Sequence, residues 1–253
     1  MQVWTNVTAA NISSGTFANS PAVLVGSNTT LDACYVFPWC ATARDLVNSS
    51  GASNTLANVA CRTSSTCYMV GLSEKIEIQV SSGTPWQWRR ICFTMKGQIA
   101  AFGTTSTFAV VQETSAGITR AVNHLPGNRN QGSQYSLFEI LFRGQNSSDW
   151  TDPMIAKTDN SRLTIKYDKT RTIASGNEDG MIRSYTHWHP MRKNIVYDDD
   201  EIGDKMTSQN FSAVGKAGMG DYYVVDIFRC RYNASTNDQL TFTPHASLYW
   251  HEK

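Results

Sequence analysis

The feature that most constrains this chain is a period of two. In LSEKIEIQV (72–80), Leu72, Ile76, Ile78 and Val80 share one face, and Ser73, Lys75, Glu77 and Gln79 share the other. That alternation fits a half-buried strand and excludes a stable amphipathic helix. After the turn signal SSGTP, the run QWRRICFTMK repeats it. Gln87, Arg89, Ile91, Phe93 and Met95 lie on one side, and Trp88, Arg90, Cys92, Thr94 and Lys96 on the other. The adjacent arginines therefore point to opposite faces.

Further strands are expected at AVLVG (22–26), YVFPW (35–39) and YSLFEILFR (135–143). Others are LTIKYDKTRTI (163–173), YYVVDIFRCRY (222–232), and a last strand in QLTFTPHASLYW that bends or runs along an edge at Pro244. In 163–173, Leu163, Ile165, Tyr167 and Ile173 are placed on one face, which Lys169 and Arg171 interrupt. The run 222–232 is apolar on both faces and reads as a central strand. ATARDLVN (41–48) suggests a helical turn or two, and 203–221 reads as a glycine-bearing loop. About eight antiparallel strands with long loops and little helix predict an all-β fold, a single jelly-roll β-sandwich over residues 1–253.

Composition agrees. Of 253 residues, 41% are hydrophobic, enough for a packed core, and only 17% are charged, with Ser, Thr and Asn filling the loops. The net charge of +1 does not announce a nucleic-acid binder. Its distribution is uneven: before Cys61, Arg44 is the only basic residue. No run of 18 uncharged apolar residues exists, so no membrane association is expected. The first residues lack the basic and apolar regions of a signal peptide. The six cysteines form no CxxC pair; Cys92 and Cys230 read as core residues, and a reduced state is expected for Cys61 and Cys67.

Candidate chemistry is sparse. His187 and His189 in HWH share a strand face, as a metal site would need. The spacing from Gly180 is one residue too long for a cupin motif, and PMRKN supplies no glutamate, so no metal or other cofactor is expected. Asp198 to Glu201 reads as a solvated acidic turn, with a hard cation as the lesser alternative. GKAGMG (215–220) lacks the order of a P-loop. No nucleophile elbow appears, and no catalytic residue is assigned.

The basic residues carry more information. Arg89, Arg90, Lys166, Lys169, Arg171, Arg229 and Arg231 recur in strand runs, and Trp86 and Trp88 lie beside the first pair. Aromatics interleaved with cations serve single-strand nucleic-acid binders, with stacking for bases and charge for phosphates. Exposed sheet faces and subunit rims carry such charges as well, so patterning alone leaves both readings open.

Several blocks in order, PWQWRRICFTMKG, DWTDPMIAKTD, LTIKYDKTRTIASGNEDG, HWHPM and GKAGMGDYYVVDIFR, resemble the capsid proteins of genomoviruses. These are small circular single-stranded DNA viruses related to geminiviruses. The resemblance runs from about Phe37 to the C-terminus. It implies a non-enzymatic jelly-roll coat protein that self-assembles into a small T=1 icosahedral shell around circular single-stranded DNA. The protein would reside in the virion, and in host nucleus and cytoplasm during assembly. Family members usually begin with an Arg-rich, DNA-binding arm. Here MQVWTNVTAANISSG has no Lys or Arg, so 1–20 is expected to be a poorly ordered or arm-derived segment, leaving DNA to the jelly-roll surface. Two other classes compete: a jelly-roll carbohydrate-binding module using Trp86, Trp88 and Trp150, and a cupin-type metalloprotein built on His187 and His189.

Overall fold

Alternating strands bury one face each, and two sheets of them satisfy one another by packing face to face. The computed structural model describes residues 1–30, 32–47, 55, 60–103, 105–114, 117–215 and 217–252. Short strands β1 (Val3–Thr5), β2 (Ala22–Val25) and β3 (Tyr35–Cys40) are followed by the long β4 (Thr66–Val80) and β5 (Trp86–Met95). Then come β6 (Glu113–Thr114), β7 (Gly117–Ile118), β8 (Arg120–Val122) and the helix α1 (Gly132–Leu141). The chain ends with β9 (Thr164–Ile173), β10 (Met181–Val196), β11 (Asp200–Ile202), β12 (Lys205–Thr207), β13 (Asp221–Cys230) and β14 (Gln239–Glu252).

Two four-stranded antiparallel sheets form the sandwich, in the orders β10-β4-β14-β2 and β3-β13-β5-β9. Each step along the chain among these eight strands crosses from one sheet to the other, except β5 to β9, and that is the jelly-roll path. Pro244 is accommodated because β2 pairs β14 only as far as Phe242, so no ladder partner is lost beyond it on that side.

The interior between the sheets holds two apolar clusters. In one, Trp88 stacks parallel to Phe228 at 5.8 Å, and Phe228 meets Phe242 edge-on at 4.9 Å. Aromatic pairs of this kind add about 0.5–1.5 kcal/mol each beyond their buried area. A third cluster lies on the outer face of the second sheet. There α1 and the segments around it pack Leu137, Phe138 and Leu141 on Ile91, Phe93 and Val225. Covered on both sides, β13 is buried at every position but Arg229, as its continuous apolar run required.

Four expectations need correction. YSLFEILFR is not a strand: most of it is α1, whose buried Gln134, Leu137, Phe138 and Leu141 recur at helical spacing. A short apolar run carries both periods, and here the face it must cover selects the helix. Residues 41–47 are irregular rather than helical, because Thr42 is tied to β13 by its hydroxyl and by the Ala41 amide on Tyr222; Asn48 lies outside the described residues. The 203–221 loop contains β12, which pairs with β11 as a hairpin. The start of the 1–20 segment is packed: Val3 and Val7 are buried, β1 runs parallel to β8, and the terminal ammonium donates to the Ala246 carbonyl at 2.7 Å, while 8–20 are exposed or half-buried.

Candidate nucleic-acid interface

Strand alternation places Arg89 and Arg90 on opposite faces of β5, as expected, but neither face is free. Arg89, 4% exposed, lies on the covered side. Its Nε and Nη2 donate to Asp168 at 2.9 and 2.7 Å, and Nη1 donates to the Pro153 carbonyl at 2.7 Å. Arg90, 1% exposed, points between the sheets. It donates through Nε and Nη2 to Asp226 (2.7 and 2.9 Å) and through Nη1 to Glu74 (2.7 Å). Trp86 and Trp88 are also interior, and the Trp88 indole N–H donates to Asp226 at 2.7 Å. These four residues cannot meet a nucleic acid on this surface. The reason is that β5 is an inner strand of its sheet, with carboxylates supplied from other strands to match each guanidinium.

The interior charges form one network. Arg120 Nη2 donates to Asp226 at 2.9 Å, its Nε lies 3.5 Å from Glu74, and its guanidinium sits 4.2 Å from the Trp39 ring centre. His189 Nε2 is 3.2 Å from the same Glu74 carboxylate. Two arginines thus balance two carboxylates between the sheets. Burial alone would raise the Glu74 carboxyl, but Arg90, His189 and Arg120 outweigh it and hold the group well below the usual carboxylate range. Glu74, Arg120, Asp168 and Asp226 escaped the sequence reading. The available signal was a carboxylate within an apolar file, Glu74 between Leu72 and Ile76, and Asp226 inside YYVVDIFRCRY.

His187 and His189 do share the interior face, with ring centres 5.9 Å apart. Burial, followed by the nearby Arg90, lowers the His187 imidazole to about 4. The Glu74 carboxylate against His189 is already engaged by Arg90. Among the described residues, no group of three or more His, Cys, Asp or Glu side chains is arranged to hold a metal ion. In the acidic run, Asp199 is taken by a bidentate Arg62, while Asp200 and Glu201 lie exposed on the β11–β12 hairpin. All six cysteines are buried.

The remaining expected residues fall in two places. Arg229 sits on the outer face of β13, where Asp152 takes it bidentately at 2.9 and 2.8 Å, so its charge is neutralised. Arg231 and Tyr232 lie just beyond and are exposed; with Pro85, Gln87 and Thr172 they line a cleft of about 300 Å³. Lys166, Lys169 and Arg171 belong to β9, the edge strand of its sheet. The edge strand of the other sheet, β10, faces it across the open side of the sandwich.

A bulge in β9 shapes that side. Cys92 pairs with Tyr167 but Phe93 with Ile165, so Lys166 is the extra residue and Ile165 and Tyr167 turn to opposite faces. This corrects the expectation that 163, 165, 167 and 173 share one face: Leu163 and Ile165 join the cluster under α1, while Tyr167 and Ile173 pack in the interior. Tyr167 then closes the gap against His187 and His189, with ring centres 5.6 and 5.9 Å away. Arg171 donates to the Tyr167 hydroxyl at 3.1 Å and covers the Tyr185 ring at 4.9 Å. Around this half-buried aromatic plug stand the exposed Lys166, Lys169, Arg183, Arg192 and Lys193, none of which makes an ion pair among the described residues. Lys216 lies outside the described residues.

The open β9–β10 side is therefore an edge of unneutralised cations over half-buried rings, which can hold a phosphate backbone and admit partial stacking. A separate aromatic shelf lies on the solvent face of the first sheet. There the Trp188 indole lies over Gly71, where a Cβ would come within 2.6 Å of the ring, and Tyr249 stands 5.9 Å away. Trp150, like Trp86 and Trp88, is buried, so none of the three tryptophans expected as sugar platforms is available. No protein-family model matches the chain, and no curated protein matches it.

Proposed function

We propose that this chain is a viral coat protein that self-assembles into a small icosahedral shell around circular single-stranded DNA. The observation that carries the reading is a jelly roll whose one open side is lined by unpaired cations, with apolar residues left exposed elsewhere. Ile155 (81% exposed), Val214 (75%) and Ile182 (70%) stand in loops and on the outward sheet face, where subunit contacts would cover them. The sequence blocks that resemble genomovirus capsids support the same reading. Its DNA contacts are the β9–β10 side and Arg231 rather than Arg89 and Arg90. With a net charge of +1, binding is modest and strongly salt-dependent.

The test is to assemble purified protein with circular single-stranded DNA and add nuclease. The reading expects a particle-sized fraction with protected DNA. Full digestion in every fraction contradicts it. The shelf of Trp188 and Tyr249 favours a second reading, a glycan-binding module. A monomer that binds oligosaccharide and loses binding in Trp188→Ala would replace the first.

A further inference from the structure

The geometry points to a phosphate-binding subsite in the cleft between two facing strand bulges, one at Lys166 on β9 and one at Met191–Arg192 on β10. The subsite takes one phosphodiester of the bound strand, and so rests on the DNA reading above.

Bulges re-aim side chains, and both bulges here re-aim lysines. Lys166 has no partner in the β5 register. In β10, Pro190 pairs with Gly71 and Lys193 with Met69, so Met191 and Arg192 together oppose Val70. Arg192 adopts φ +50°, a left-handed conformation that a non-glycine residue takes at a cost of about 1–3 kcal/mol. The consequence is that Lys193 shares a face with the buried Met69. A cation thus stands on the inward side of an edge strand, where the core pattern calls for an apolar residue.

Lys166 and Lys193 meet in a cleft of about 190 Å³, with Thr94, Thr164 and Tyr222 as further polar lining and no acidic side chain among the described residues that line it. The space is several times the ~30 Å³ share of one water, enough for a tetrahedral oxyanion and too small for a nucleoside beside it. Two ammonium groups and two threonine hydroxyls offer donors to an anion and nothing that favours a cation. Gly218 closes one wall at φ +74°, where a Cβ would come within 2.9 Å of the Val196 amide nitrogen. Lys169 and Arg171 follow Lys166 along β9, so a strand with one phosphate in the cleft has further cations along the same edge.

The test compares wild type, the double variant Lys166→Gln/Lys193→Gln and the control Lys75→Gln, which alters an exposed lysine on the outward face of β4. All three side chains are exposed, and melting without ligand checks that the variants fold. Two probes are used: inorganic phosphate at constant ionic strength, read as a rise in Tm, and a fluorescent oligothymidylate, read as affinity across a salt series. The expected result is a phosphate-dependent rise in wild type and Lys75→Gln that the double variant lacks. Oligonucleotide affinity should fall about tenfold in the double variant, with the log–log salt slope shallower by about 0.7 because one phosphate is no longer neutralised. If phosphate raises Tm equally in the double variant, or raises it in none, the subsite is overturned even when the oligonucleotide binds. If the oligonucleotide fails to bind wild type while phosphate still acts through the two lysines, the DNA reading falls and the anion subsite stands.

Discussion

At the scale of single residues, Arg89 and Arg90 are chain neighbours that belong to different layers. Arg90 is tied to Glu74 and Asp226 in the interior, so removing it leaves two buried carboxylates with Arg120 as their one remaining arginine among the described residues. Arg90→Ala should cost about 3–5 kcal/mol in urea unfolding, whereas the exposed Arg231→Ala should stay within about 0.5 kcal/mol; equal effects contradict the network. Loss of DNA binding in Arg89→Ala/Arg90→Ala would consequently report unfolding rather than a broken DNA interface. Two other buried groups give stability opposite pH slopes. Burial raises the Asp221 carboxyl from 3.8 to about 6, although hydrogen bonds from Ser212 and Thr42 pull against it. The folded state therefore holds that proton more tightly, and the stability it contributes below pH 4 is lost as pH rises to about 6. Burial lowers His124 from 6.5 to about 4, so its contribution is present above pH 6.5 and is lost as pH falls toward 4. In urea midpoints taken from pH 4 to 7, Asp221→Asn should remove the first slope and His124→Gln the second. Unchanged slopes would refute these assignments.

At the scale of elements, the open side of the sandwich depends on how β9 hands over to β10. Gly180 makes that turn at φ +85°, and a Cβ there would come within 1.9 Å of the Val80 carbonyl oxygen. Gly180→Ala should destabilise the protein by about 1–3 kcal/mol, while Gly176→Ala in the same connection meets open space and should be near neutral. Thermal melts of the two variants check this; matching Tm values would contradict it. β5 and the Leu72–Val80 part of β4, where alternation is unbroken, were legible in the sequence to within a residue or two; β4 begins earlier, at Thr66, because the alternation shifts at Val70. The bulged strands were legible only in part: β9 runs Thr164–Ile173, within a residue of the 163–173 expected, but its faces were not assigned correctly. An extra residue at Lys166 inverts the faces downstream, and the period of two carries no mark of it. β10 showed only as the fragment HWH, because Arg183 and Lys193 interrupt its inward file and its outward face mixes Ile182 and Trp188 with Ser184 and Thr186. The helix was misread because Phe138, Ile140 and Phe142 recur at a period of two, while the buried Leu137, Phe138 and Leu141 recur at helical spacing in the same short run.

At the scale of the whole molecule, the two-sheet architecture was legible because every long strand must bury a face, and eight such strands leave few arrangements. The candidate site was half legible. Lys166, Lys169, Arg171 and Arg231 lie at edges and ends, where cations stay in water, while Arg89, Arg90, Trp86 and Trp88 lie on an inner strand. No local pattern separates an edge strand from an inner one, since that depends on pairings far apart in sequence. The basic side and the uncovered apolar residues are what the proposed shell would cover, with DNA on the first and neighbouring subunits on the second. Size-exclusion chromatography of the purified protein, with electron micrographs of the leading peak, tests that claim most directly. Closed shells or pentameric subassemblies are predicted, and a stable monomer at every concentration and salt would contradict it.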